Sequence, residues 1–139
     1  MGPLVSVTRS AGESRLGLGV EATFNAFKKT PKDHTALGAF AQVQSMEGES
    51  LRLGGGVQAT YVCVGVELGF MHETASRTHV AETWLHFAPY VACPLGSVGV
   101  RFGLPLTGAG AEAGEPGLSQ RENEWGLVLT AKFPFQLNG

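Results

Sequence analysis

Leu51–His72 reads LRLGGGVQATYVCVGVELGFMH, and the period of this stretch decides the fold. As far as Tyr61 the apolar residues stand at odd positions, with Leu51, Leu53, Val57, Ala59 and Tyr61 opposite Arg52, Gly54, Gly56, Gln58 and Thr60. From Val62 the even positions take over, and Val62, Val64, Val66, Leu68 and Phe70 oppose Cys63, Gly65, Glu67, Gly69 and Met71. A strand keeps its parity because successive side chains point to opposite faces. The change of phase at Tyr61/Val62 therefore predicts a tight turn or bulge between two antiparallel strands.

The same alternation recurs on both sides of the hairpin. Arg15–Phe27 places Leu16, Leu18, Val20, Ala22, Phe24 and Ala26 on one face, a pattern that a helical period would scatter. Thr35–Ser45, Val80–Ala92, Ser97–Leu106 and Glu124–Phe135 alternate likewise, and Leu4–Thr8 is a short β-prone run that fits a first strand. Pro89 lacks a ladder donor and predicts a local bulge or weak pairing. The expected domain is a single unit over residues 1–139, with strands at 4–8, 15–27, 35–45, 51–61, 62–72, 80–92, 97–106 and 124–135. The fold class is all-β, a closed antiparallel up-and-down barrel. Most of its clear strands are longer than those of ordinary globular proteins and close to the roughly 9–11 residues that cross a bilayer.

Composition narrows the function classes. A formal net charge of -2 gives no basic footprint, so nucleic acid is not an expected partner. Only 16% of residues are charged and twenty are glycine, whereas soluble domains carry about a quarter charged residues. No apolar run reaches the roughly 18 residues of a membrane helix, so any membrane crossing is made by strands. The N-terminal MGPLVSVTRSAGES has no basic segment followed by an apolar core, so the expectation is either a cytoplasmic chain or a leader that has been removed or replaced.

Alternation alone does not say which face is inside, but the glycines do. Gly17, Gly19, Gly38, Gly54, Gly56, Gly65, Gly69, Gly99, Gly103 and Gly126 share the polar face with a few long side chains. A soluble exterior favours charged and β-branched residues instead, while a narrow barrel lumen needs small residues beside large polar ones. The predicted lumen network is Glu21, Arg52, Glu67, Glu82, His86, Arg101 and Lys132, with the three cations neutralising the carboxylates. The opposite face is an uncharged band with Phe24, Tyr61, Phe70, Trp125, Phe133 and Phe135 toward strand ends, as an aromatic girdle at the membrane interfaces requires.

Strands of about ten alternating residues, connections of unequal length and a last strand reading WGLVLTAKFPF resemble the small eight-stranded outer-membrane barrels of Gram-negative bacteria, the OmpA/OmpX-like group. The likeness covers about Arg15–Phe135, and Gly126, Leu127, Leu129, Phe133 and Phe135 match the family's final-strand pattern; Gln136–Gly139 then follow the terminal aromatic. The resemblance implies the bacterial outer membrane, a lipid bilayer as partner, a monomer, and contacts with other envelope components through outward loops. In that arrangement Arg9–Ser14, Met46–Ser50, Glu73–Thr78 and Thr107–Asn123 face outward. Lys28–His34, Tyr61/Val62 and Cys93–Gly96 face the periplasm.

Chemistry-bearing residues are few. A hairpin brings Cys63 and Cys93 to one end, where a disulfide is a candidate, although their parities differ and two free buried thiols are the default. His72 and His79 bracket a loop without dedicated metal-ligand spacing, and His86 reads as a hydrogen-bonded lumen residue. No serine stands beside a histidine in a nucleophile arrangement, and Gly54–Gly56 lacks the helix start of a phosphate loop. The expectation is a non-enzymatic, cofactor-free barrel with a structural, envelope-anchoring or surface-interaction role. Two alternatives stand beside it: a soluble barrel with its faces exchanged, binding a small apolar ligand, and an outer-membrane lipid-modifying enzyme or narrow channel.

Overall fold

The computed structural model describes residues 1–10, 12–30, 33–76, 80–93, 95–106 and 123–131, and at 27–30, 33 and 34 it describes the backbone alone. Eight strands follow in order: β1 Gly2–Ser10, β2 Glu13–Thr30, β3 Asp33–Met46, β4 Ser50–Tyr61, β5 Val64–Glu73, β6 Glu82–Cys93, β7 Gly96–Pro105 and β8 Glu124–Ala131. Each pairs antiparallel with its sequence neighbours, and β8 pairs with β1, so the sheet is a closed up-and-down barrel. There is no helix among the described residues.

The register fixes the barrel's shape. Paired residues lead from Phe24 through Ala39, Val57, Leu68, Phe87, Phe102, Trp125 and Arg9 to Ser14, so one circuit returns to β2 ten residues from its start. With ~3.3 Å per residue and ~4.8 Å between strands, that offset tilts the strands by ~40° from the axis. The strand ends Ser10 and Glu13, Met46 and Ser50, Glu73 and Glu82, and Pro105 and Glu124 lie at one end, here the loop end. Thr30 and Asp33, Tyr61 and Val64, and Cys93 and Gly96 lie at the other, the turn end.

Several boundaries differ from the sequence reading for local reasons. The turn in the decisive stretch is Val62–Cys63, and β5 starts at Val64, paired with Tyr61. A two-residue connection carries the outward face from an odd to an even position, which is the phase change seen in the sequence. Val62 takes φ 55°, a left-handed conformation that β-branched residues rarely adopt. The charged segment Lys28–His34 is mostly strand: Thr30 pairs with Asp33, leaving two residues to connect β2 and β3. β1 is a full nine-residue strand because every residue from Gly2 to Ser10 pairs with β2. At Pro89 the β6–β7 ladder omits Ala88 and Pro89 while Phe87↔Phe102 and Tyr90↔Gly99 keep one register, so pairing is interrupted without an extra residue. The expected last strand is described to Ala131; its remainder, including Lys132, Phe133 and Phe135, lies outside the described residues.

Burial is inverted relative to a water-soluble domain. Among the described residues the buried set contains sixteen polar or charged side chains and nine apolar ones. Twenty-seven large apolar side chains are exposed, from Val5 and Val7 on β1 to Trp125, Leu127 and Leu129 on β8.

Candidate functional site

The polar side chains meet in the lumen, and their centre is Arg52. It is fully buried, 0% exposed, and faces Glu73 directly across the β4–β5 ladder. Its Nε and Nη2 donate to Glu73 Oε2 at 3.0 and 2.8 Å, while Nη1 and Nη2 donate to the two oxygens of Glu124 at 2.7 and 2.6 Å. The second contact is bidentate, the geometry in which a planar guanidinium binds a carboxylate most strongly. Glu73 Oε1 also accepts from Arg15 Nη1 at 2.8 Å and Ser50 Oγ at 2.5 Å. The Arg52 guanidinium lies 5.6 Å from the centroid of the Trp84 ring, a cation–π distance. This cluster joins β2, β4, β5, β6 and β8 near the loop end.

A second layer surrounds Arg101, which is 1% exposed. Its Nη2 donates to Gln42 Oε1 at 2.6 Å, and Gln42 Nε2 donates in turn to Glu21 Oε2 at 3.0 Å. With its amide oriented so that nitrogen donates to Ser6 Oγ at 2.7 Å, Gln44 accepts from Arg101 Nη1 at 3.1 Å. His86, also fully buried, places Nε2 3.3 Å from Glu67 Oε2 and its ring 5.5 Å from that of Phe40. Toward the turn end, Gln58 Nε2 donates to Asn25 Oδ1 at 2.7 Å, the Thr60 and Tyr90 hydroxyls are bonded, and Ser97 and Thr130 are bonded at 2.6 Å.

Glycine makes this filling possible. A Cβ on Gly65 would strike the Tyr90 ring, and one on Gly17 would crowd Ser6, Met46 and Gln44. The large inward side chains occupy the space that their neighbours lack.

Glu21, Arg52, Glu67, Glu82, His86 and Arg101 are all buried. Glu21 and Glu67 are among the carboxylates whose charge acts on Arg101, while the direct contacts of the two arginines go to other groups. Arg52 binds Glu73 and Glu124, and Arg101 is held by the two glutamine amides. Lys132 lies outside the described residues. Sequence reasoning misses Glu73 and Glu124 because its β5 ends at His72 and it takes Glu124 only as a strand start. Parity contains the signal: Glu73 continues the inward series Gly65, Glu67, Gly69 and Met71, and Glu124 begins the series Gly126, Val128 and Thr130.

Cys63 and Cys93 are free and exposed, not buried. Val64 pairs with Val91, and Ala92 N donates to Cys63 O at 2.6 Å, so Cys63 stands opposite Ala92 and the two thiols are one residue out of register. His72 Nδ1 is 3.0 Å from Thr83 Oγ1 on the outer surface, and His79 lies outside the described residues.

No protein-family model, curated protein or solved structure matches the chain.

The outer face is the remaining feature of the site. Phe24, Tyr61, Phe70 and Trp125 are all exposed, Phe24 most of all at 71%. Phe87 and Phe102, which the sequence reading leaves out, join them on the outer face, their rings stacked at 6.3 Å. On the barrel geometry one residue along a strand climbs ~2.5 Å and one strand sideways ~3 Å, which puts Phe24 and Tyr61 near one level and Phe70, Phe87, Phe102 and Trp125 roughly 12–19 Å above Phe24. The apolar runs Leu16–Ala26 of β2 and Leu51–Tyr61 of β4 each climb ~25 Å by the same geometry.

Proposed function

We propose that the chain is an integral β-barrel protein of a bacterial outer membrane, similar in kind to the OmpA/OmpX-like group. Its role in this reading is structural, envelope-anchoring or surface-interacting. The observation that carries the proposal is the inverted burial: a continuous uncharged apolar surface outside and charged, hydrogen-bonded side chains within. Leaving that surface in water would forfeit about 25 cal/mol for every Å² of apolar area that a bilayer covers. Two further features support the same reading, the ~25 Å height of the band, which matches that of membrane barrels, and its two levels of aromatic residues.

The filled lumen supports an anchoring role over bulk transport, because Arg52, Trp84, Arg101 and His86 occupy its cross-section with bonded or packed side chains. A soluble barrel for an apolar ligand needs apolar side chains inside, and this lumen presents carboxylates, guanidiniums and amides. The loop-end connections would form the outward surface for other envelope components.

The test is detergent dependence. The purified full chain is expected to fold as a monomer in detergent or phospholipid, to show heat-modifiable electrophoretic mobility, and to aggregate when the amphiphile is removed. A folded monomer in plain buffer overturns the proposal.

A further inference from the structure

One edge of the sheet is open at the turn end. Pairing of β1 with β2 stops at Gly2↔Glu21, while β2 goes on pairing with β3 from Ala22↔Ala41 as far as Thr30↔Asp33. Among the described residues β2 therefore has no neighbour on its β1 side beyond Glu21. Phe24, the most exposed aromatic of the outer face, stands at the centre of the edge segment Ala22–Ala26. The backbone groups of this edge are assigned by parity. The Phe24 carbonyl reaches Gly38 on β3, so Phe24 bonds toward β3 and its neighbours Thr23 and Asn25 turn their N–H and C=O groups to the open side.

The lumen adds an independent feature at the same place. Asn25, Gly38 and Gln58 form one row across β2, β3 and β4. Gly38 has no side chain, and Gln58 Nε2 reaches over it to donate to Asn25 Oδ1 at 2.7 Å. Gln58 is 3% exposed, and the oxygen of that same amide, Oε1, has no hydrogen-bond partner among the described residues. A buried acceptor left unbonded is costly. The row ends at Asn25, so the next position along it is the vacant side of the edge, from which a long donor side chain can reach Gln58.

We propose that the open β2 edge at Thr23–Asn25 binds an extended segment of a partner protein as an added antiparallel strand in line with β1. The choice of this occupant rests on the membrane reading. Lipid tails satisfy none of the edge donors and acceptors, whereas a strand satisfies both at once. A second copy in the same bilayer presents its own β2 running in the same direction, so it offers only a parallel edge; a separate segment continues the antiparallel β1–β2 ladder already in place. The geometry also gives the segment its sequence pattern. Its residues opposite Thr23 and Asn25 face inward, where a donor side chain meets Gln58 Oε1. The residue between them faces outward opposite Phe24, in the non-hydrogen-bonded position where side chains approach most closely, and is apolar.

The experiment uses the full chain folded in phosphocholine detergent micelles and a fluorescent peptide of alternating glutamine and valine with a lysine at each end. Fluorescence polarisation is expected to show saturable binding. The same peptide N-methylated on its glutamines, which would stand opposite Thr23 and Asn25, is expected to bind at least about ten-fold more weakly, since it loses several ladder bonds. Thr23→Pro removes one donor from the open edge and leaves the bonds of β2 with β3, and is expected to weaken binding about two- to ten-fold, the range of one hydrogen bond. Gln58→Leu is expected to weaken the glutamine peptide by a similar factor and to leave a peptide with alanine in place of glutamine unaffected. Absence of saturable binding, equal binding of the N-methylated peptide, or binding unchanged in both variants overturns the added strand. The N-methylated peptide needs no variant, so it decides even where Thr23→Pro loses its heat-modifiable fold. A chain that stays folded and monomeric once the detergent is removed overturns the membrane reading instead.

Discussion

Replacing Arg52 with methionine should cost more stability than any other single change in the lumen. The substitution keeps most of the aliphatic length and removes four N–H···O contacts of 2.6–3.0 Å together with the cation–π contact to Trp84. Glu73 and Glu124 then face one another across the lumen without the cation between them, although Arg15 and Ser50 still bond Glu73. Breaking a buried ion pair from one side costs about 3–5 kcal/mol, and the remaining partners of Glu73 argue for the lower half of that range. Adding Glu73→Gln and Glu124→Gln removes the stranded charges and should recover more than half of the loss. Urea unfolding of the wild type, Arg52→Met and the triple variant in phospholipid vesicles, followed by electrophoretic mobility, gives the three free energies. A loss below about 1 kcal/mol for Arg52→Met, or a triple variant no more stable than the single one, refutes the claim that Arg52 organises the lumen.

Other substitutions probe the faces, the turn and the thiols. Leu68→Arg, placed mid-band on the outer face, should cost about 2–4 kcal/mol in phospholipid, as midplane cations do in membrane barrels, and a soluble exterior would tolerate it. Glu67→Leu leaves His86 Nε2 without its carboxylate partner and should lower the urea midpoint, whereas the same change on a water-facing surface would not. Val62→Gly relieves a left-handed φ of 55° and should raise stability by about 1 kcal/mol in the same unfolding assay. Cys63 and Cys93 should both react with a water-soluble maleimide in the folded barrel, read by mass spectrometry, because both are exposed and unbridged.

The barrel was legible from the sequence because parity is a strong signal when every strand has one apolar face. Leu51–His72 contained the hairpin, and the glycines placed the polar face correctly beside Arg52 and Glu67, both of which are buried. The fine positions were harder, since they depend on where pairing stops. A charged run such as Lys28–His34 looks like a loop, yet backbone pairing of β2 with β3 continues as far as Thr30↔Asp33, past the points where β1 and β4 stop pairing with them. Partners within the lumen were less legible still. Register brings Glu73 opposite Arg52, but the approach of Glu124 from the far side follows from the curvature of the closed sheet, to which β4 and β8 contribute far apart in sequence.

The Arg52 cluster also has a mechanical meaning. A closed sheet is stiff along its strands but soft to flattening, because its circular section can deform into an ellipse with little change in any one ladder bond. Arg52 spans the bore from β4 to Glu124 on β8 while Arg15 and Ser50 hold its second carboxylate, Glu73 on the neighbouring β5, so the cluster acts as a cross-brace set inside the tube. A change in the separation of β4 and β8 at this level must strain the contacts of Arg52 with Glu124. The strand ends of the loop end are therefore held at fixed separations there.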